Sequence, residues 1–197
     1  MLTIDVLVSR QQEHVPLPNA EKVVEMRIIA IGDIHMSAEK IQYINDIENA
    51  DLVVVNGDLT NYGSRHEAKQ VLDILMSANT SVLAQFGNLD HPEVNDYLED
   101  LGMNLHNQAR MVQNRVCLIG IGGSNATPFG TPSEFSEEQL TTFAANGFKQ
   151  ALDFIGLAEP IEKIKIPLIL VSHTPPAGTV IDKLSDGSHV GSSAIRQ

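Results

Sequence analysis

Five residues of this sequence have the types and the placing that a divalent metal site needs. Asp33 and His35 follow the apolar run Ile28-Ile29-Ala30-Ile31-Gly32, and Asp58 follows Leu52-Val53-Val54-Val55-Asn56-Gly57. Asn88 comes after the run 81–86 and Gly87, and His173 comes after the run 166–171 and Ser172. Carboxylate oxygens are hard ligands and imidazole nitrogens borderline ones, and without a thiolate such a set suits manganese, iron or zinc better than calcium. Asn88 adds a weak amide ligand without adding charge. A two-ion centre holds its metals about 3.5–4 Å apart, so one carboxylate has to bridge them. Asp58, on a central strand, is the candidate bridge; Asp33 and His35 would complete one ion, Asn88 and His173 the other. Such ions would polarise a phosphoryl oxygen and lower the pKa of a bound water, making a hydroxide nucleophile.

Each of these residues stands at the end of an apolar run. A strand without polar alternation is buried on both faces, as in a parallel sheet, and ligands gather at the carboxyl ends of such strands. Between the runs, Ile41, Ile44 and Ile47 predict a helix over 38–49, and Ala68, Val71, Leu72 and Leu75 predict one over 64–77. Pro92 suits the first turn of a helix over 92–100. Alternating βα units imply a parallel sheet with right-handed crossovers. After residue 103 the texture changes. Residues 104–106, 110–113 and 116–121 read as short strands, with a turn at Asn114-Arg115. Ser136 and Gln139 form a capping box for a helix running to about residue 155. The run 166–171 reads as another buried strand, and 192–197 as the start of a helix. Upstream, Leu2, Ile4, Val6 and Val8 alternate as in a strand, and Pro16 and Pro18 mark a linker. Residues 1–25 therefore read as an appendage or an extra strand, and 26–197 as the domain.

Composition narrows the classes. A chain of 197 residues suits one domain, and 43% hydrophobic with 19% charged residues suits a globular one. A formal net charge of −12 excludes a general nucleic-acid-binding surface, but not a small phosphorylated substrate, because bound cations reverse the local field. The single cysteine, Cys117, lies in an apolar run and reads as a core residue. Apolar runs are too short for a membrane span and no signal peptide is visible, so the expected compartment is the cytoplasm. Nothing in the sequence sets the oligomeric state, and a homo-oligomer stays open.

Taken together, Gly32-Asp33-Ile34-His35, Gly57-Asp58, Gly87-Asn88-Leu89-Asp90 and Ser172-His173-Thr174-Pro175 resemble the calcineurin-like metallophosphoesterases, in their usual order over residues 27–196. Gly120-Ile121-Gly122-Gly123-Ser124, the Thr127-Pro128-Phe129 loop and His189-Val190-Gly191-Ser192 look like a prokaryotic branch related to cyclic-nucleotide phosphodiesterases. The resemblance implies an α/β fold, a four-layer α-β-β-α sandwich with a two-metal site at one edge. It also implies hydrolysis of phosphoesters, with manganese first and iron or zinc as alternatives. Many members carry histidine after Gly-Asn, where it helps protonate the leaving group. Leu89 stands there instead, which leans toward phosphodiesters; His91 is the candidate substitute, or simply the residue before a helix. The family's Gly-His-x-His motif is not present up to Gln197, and His189 does not fit it. The expectation is a domain incomplete at its C-terminal end, with each ion short of a histidine and an apolar edge at 116–121 or 166–171 left open. The alternative function is a non-catalytic scaffold on the same fold, against which stand the intact acid and histidine elements.

Overall fold

The structure, a computed structural model, describes the backbone of Leu2–Val6 and residues 26–157 and 166–197. Three apolar runs become parallel strands of one sheet: β2 (Met26–Ile31), β3 (Leu52–Asn56) and β4 (Val82–Gln85). β1 (Leu2–Val6) pairs antiparallel with β2, so the order is β1-β2-β3-β4 and residues 2–6 form an edge strand. The proline-bearing stretch read as a linker lies outside the described residues.

Strand side chains alternate between faces, and both faces of this sheet are apolar. Ile29, Ile31, Val53, Val55 and Ala84 face α1 (Arg65–Ala78) and α2 (Pro92–Asp100), burying Ala68, Val71, Leu72, Leu75, Val94 and Leu98. Ile28, Leu52 and Val54 face the other way, onto Val116 and Leu118 of a second sheet. That sheet orders β5 (Gln108–Val112), β6 (Val116–Ile121) and β9 (Leu168–Ser172), with β6 central. Its outer face buries Cys117 and Ile119 against Ala151 of α3 (Glu137–Leu157). The layers are therefore helix, sheet, sheet, helix, and Cys117 is a core residue as expected. A short parallel pair, β7 (Ser124–Asn125) with β8 (Glu134–Phe135), closes a loop beside the second sheet. No helix among the described residues is long and apolar enough to cross a membrane.

Three sequence expectations are corrected. The helix over 38–49 is two short 3₁₀ segments, Ala38–Tyr43 and Ile47–Asn49, separated where Asp46 turns left-handed at φ 60°. Ile41, Ile44 and Ile47 recur every three residues, which is the 3₁₀ repeat rather than the α repeat. Residues 104–106 make single bridges instead of a strand, because Asn104 pairs with Ala84 of the first sheet and His106 with Gly120 of the second. The segment crosses between layers and belongs to neither. β9 is not buried: Leu168 is 37% and Leu170 47% exposed. β9 is the last strand of its sheet, and α3 packs over β5 and β6.

The turn at 193–196 does form, as α4 (Ser193–Arg196). One carboxylate oxygen of Glu137, in the first turn of α3, accepts hydrogen bonds from the Ser192 and Ser193 hydroxyls and from Ala194 N–H. A single helical turn is unstable alone, and this docking holds it.

Candidate metal centre

The carboxyl ends of β2, β3, β4 and β9 meet where the two sheets join, and side-chain amides tie the joint. Asn56 donates to Ser172 O at 2.9 Å. Gln85, fully buried, donates to Asn56 Oδ1 at 2.7 Å and Ile121 O at 3.1 Å. A polar residue ending a buried strand needs such partners, and that need was the signal available in the sequence for Gln85. Above this floor the loop after β2 runs beside the loop after β3: His35 N–H donates to Asp58 O at 2.9 Å and Asp33 N–H to Gly57 O at 3.1 Å. Asp33, His35 and Asp58 all sit in the left-handed region, at φ 53°, 47° and 50°. Non-glycine residues there cost of order 1–3 kcal/mol each and persist where the surroundings over-determine them. Two of the motif glycines, Gly57 and Gly87, exist for close approach. A Cβ on Gly87 would overlap the Asp58 carboxylate, and one on Gly57, at φ 84°, would lie 2.5 Å from His173 Nδ1.

The ligand candidates converge. Asp33, Asp58 and His173 each offer a ligand atom within 4.8 Å of the others. Asp58 stands between two histidines: Oδ1 lies 3.5 Å from His173 Nε2, and Oδ2 3.8 Å from His35 Nε2. His35 Nε2 is also 3.7 Å from Asp33 Oδ1. Asn88 Oδ1 is 3.0 Å from His173 Nε2. All five residues predicted as ligands are thus brought together.

The hydrogen-bond network orients the donor atoms on the His173 side. His173 Nδ1 is 2.7 Å from Asn56 O, a carbonyl that can only accept, so Nδ1 carries a ring proton and Nε2 is the nitrogen turned toward Asn88 and Asp58. Asn88 Nδ2 donates to Thr131 Oγ1 at 3.1 Å, which turns Oδ1 inward. Asp58 Oδ1 accepts from Leu89 N–H at 2.9 Å. An imidazole nitrogen, an amide oxygen and a carboxylate oxygen converging in this way are the donor types that hold a divalent cation. The residues present therefore fit a divalent ion. Burial pushes the Asp58 carboxyl above its ordinary value; His173, Leu89 N–H and His35 pull it back, and nearby Asp90 adds to the rise.

Asp90, quoted with Gly-Asn, has a structural role. Buried, it accepts from Leu59 N–H, Thr60 N–H, the Thr60 hydroxyl and Gly87 N–H, and so pins the loops after β3 and β4 together. His91 is the N-cap residue of α2. It lines an open depression with Asn61, Tyr62, Gly63, Ser64, Glu67 and Glu93, and none of the five ligand candidates lines that depression. His189 pairs with buried Asp182 at 2.7 Å, inside a loop that Asp182 organises by accepting from Gly178 and Thr179 N–H.

Comparison with known proteins supplies the family. The family model described as calcineurin-like phosphoesterase matches residues 26–196. The chain belongs to that family, a class of metal-dependent phosphoesterases. An uncharacterised protein of Methanocaldococcus jannaschii, MJ1162, is 34% identical over 175 residues, covering 87% of this chain and 72% of that protein. Among solved structures, TT1561 of Thermus thermophilus superposes with a TM-score of 0.61 at 17% identity, over 85% of this chain and 73% of that one. A second solved structure gives 0.55 at 15% identity, over 85% and 77%. These two likenesses concern the fold.

Proposed function

We propose that this chain is a cytoplasmic phosphodiesterase that holds two divalent ions, manganese foremost, and hydrolyses a small phosphodiester. The observation that carries the reading is the convergence of carboxylate, imidazole and amide donors around Asp58, with one histidine at each of its carboxylate oxygens. That placing suits a bridging carboxylate, with Asp33 and His35 on one side and Asn88 and His173 on the other. Ions held there would supply Lewis-acid polarisation of a phosphoryl oxygen and a water acidic enough to attack phosphorus. The chain's own residues do the rest. Asp58 stands between the two histidines, and Asn56 O holds the His173 ring with Nε2 toward the site. Leu89, where many relatives carry histidine, supports a diester over a monoester.

The test is turnover of an aryl phosphodiester and of the matching monoester by metal-stripped protein, titrated with manganese, iron and zinc in turn. The expected result is manganese-restored hydrolysis favouring the diester. Metal uptake without turnover of either ester would favour the scaffold reading. Preference for the monoester would overturn the diester assignment and leave the metal site standing.

A further inference from the structure

Asn88 poses a problem that the acids and histidines do not. Its amide oxygen can bind a cation and its amide nitrogen cannot, yet a half-turn of the side chain exchanges the two at almost no steric cost. Something must hold the amide the right way round. Around Asn88 the loop between β7 and β8 supplies it. Asn88 Nδ2 donates to Thr131 Oγ1 at 3.1 Å, and the Thr131 hydroxyl donates to Glu134 Oε1 at 2.7 Å. The same Glu134 oxygen accepts from Thr131 N–H at 2.7 Å and from the Thr127 hydroxyl at 2.5 Å. Next to it, Ser133 N–H donates to Asn88 O at 3.1 Å and the Ser133 hydroxyl to Asp90 O at 2.6 Å. The segment therefore grips both the side chain and the backbone of the loop that carries Asn88.

We infer that Thr131 and Glu134 are positioning residues which set the polarity of the Asn88 amide, an inference that rests on the metal reading above. The direction of the relay follows from its far end. An ionised carboxylate only accepts, so the Thr131 proton must point at Glu134. The Thr131 oxygen is then left to accept, and only the amide nitrogen of Asn88 can give it a proton. Oδ1 is thereby turned toward His173 Nε2, 3.0 Å away. Thr131 is buried, which shields the relay from water that could otherwise serve either face of the amide.

The experiment compares wild type with Thr131→Val, which keeps the shape and removes the hydroxyl, and with Thr131→Ser, which keeps the hydroxyl. Manganese binding is followed by calorimetry, with melting temperature as the check on folding. Partners that orient a metal ligand typically carry 10–100-fold in affinity. We expect Thr131→Val to weaken at least one manganese step by about that factor, and Thr131→Ser to stay within about threefold of wild type. Equal affinity in all three proteins overturns the relay. Should Thr131→Val fail to fold, hydrogen exchange of the Asn88 side-chain amide in metal-free wild type decides. Protection well above that of an exposed asparagine supports the relay, and free exchange overturns it. Wild type that takes up no manganese, iron or zinc overturns the metal reading and the inference together. Uptake by wild type that is unchanged in Thr131→Val overturns the inference alone.

Discussion

The two halves of the candidate centre are built to different standards. On the Asn88 and His173 side every ligand atom has a named holder: Asn56 O for His173, Thr131 for Asn88 and Leu89 N–H for Asp58. The side chains of His173 and Asp58 are 9% and 5% exposed. On the other side the Asp33 side chain is 70% exposed and that of His35 34%, and among the described residues His35 Nδ1 is buried with no hydrogen-bond partner. Ligating histidines normally give that second nitrogen a partner, which fixes ring and tautomer. One half is thus preorganised before any ion arrives. The other is placed by backbone alone, through the left-handed residues Asp33 and His35.

Asp58 belongs to both halves, so changing it has the largest effect. Asp58→Asn should lower kcat/KM for an aryl phosphodiester by more than about a hundredfold, because under the proposed two-ion arrangement each ion loses a ligand. The fold should not suffer. The substitution removes a buried charge that desolvation and Asp90 already disfavour, and Leu89 N–H keeps an oxygen to donate to. The expected result is lost turnover with a metal-free melting temperature no lower than that of wild type. Near-normal turnover would remove Asp58 from the centre.

A buried histidine away from the ligand candidates carries an acid sensitivity of its own. His106 is buried beside Phe86, Phe135 and Phe143, and its Nδ1 accepts from Gly122 N–H at 3.0 Å. Burial pushes its pKa down from the ordinary 6.5 to about 4. Below pH 6.5 the unfolded chain gains a proton here that the folded one refuses. Stability is therefore lost as pH falls from 6.5 toward 4, and the loss is complete below that. The gap corresponds to about 3 kcal/mol. His106→Gln, which keeps an acceptor for Gly122, should flatten the denaturant-measured stability profile in this window by up to about 1.4 kcal/mol per pH unit. Parallel profiles for variant and wild type would show that His106 does not titrate there.

Much of this centre is legible in the sequence because its residues end continuous apolar runs. Burial on both faces of a parallel sheet removes the polar alternation that makes other strands ambiguous, so β2, β3 and β4 can be read with their terminal ligands. The holders are not legible. Thr131 and Glu134 lie far along the chain from Asn88 and share no spacing rule with it. Their relation exists only once a loop folds over the site, although Thr127-Pro128-Phe129 beside them belongs to the stretch that resembles the prokaryotic branch. The 3₁₀ segments escape because a spacing of three also fits one face of an α-helix. β9 escapes because an apolar run does not reveal whether its strand is central or at an edge.

A moderate effect tests the asymmetry itself. Manganese should bind in two steps, the tighter one at the preorganised half, with dissociation constants about tenfold or more apart. His35→Ala should erase the weaker step and leave the tighter one nearly in place, whereas His173→Ala should weaken the tighter. Calorimetric titration of metal-free protein distinguishes these outcomes. Two equal sites would show that the difference in orienting partners carries no energetic weight.

The smallest effect concerns His91. A general acid positioned on the leaving group typically contributes 10²–10⁴-fold to the rate. His91 follows Asn88 by three residues, which makes it a candidate for that work, yet it lies at the start of α2 and lines a depression with Ser64, Glu67 and Glu93 rather than with the ligands. Its backbone N–H is spent on Gly63 O at 3.0 Å, which helps tie the loops before α1 and α2. That contact survives any side-chain change. His91→Ala should therefore lower kcat/KM by less than about tenfold, well under the contribution of a general acid. Its pH profile should keep the shape of wild type. Comparing an aryl phosphodiester with one whose leaving group is an alkoxide sharpens the test, because only the poorer leaving group needs a proton. A hundredfold loss confined to the alkyl substrate would return His91 to the chemistry and extend the working site beyond the five ligand candidates to the depression at the start of α2.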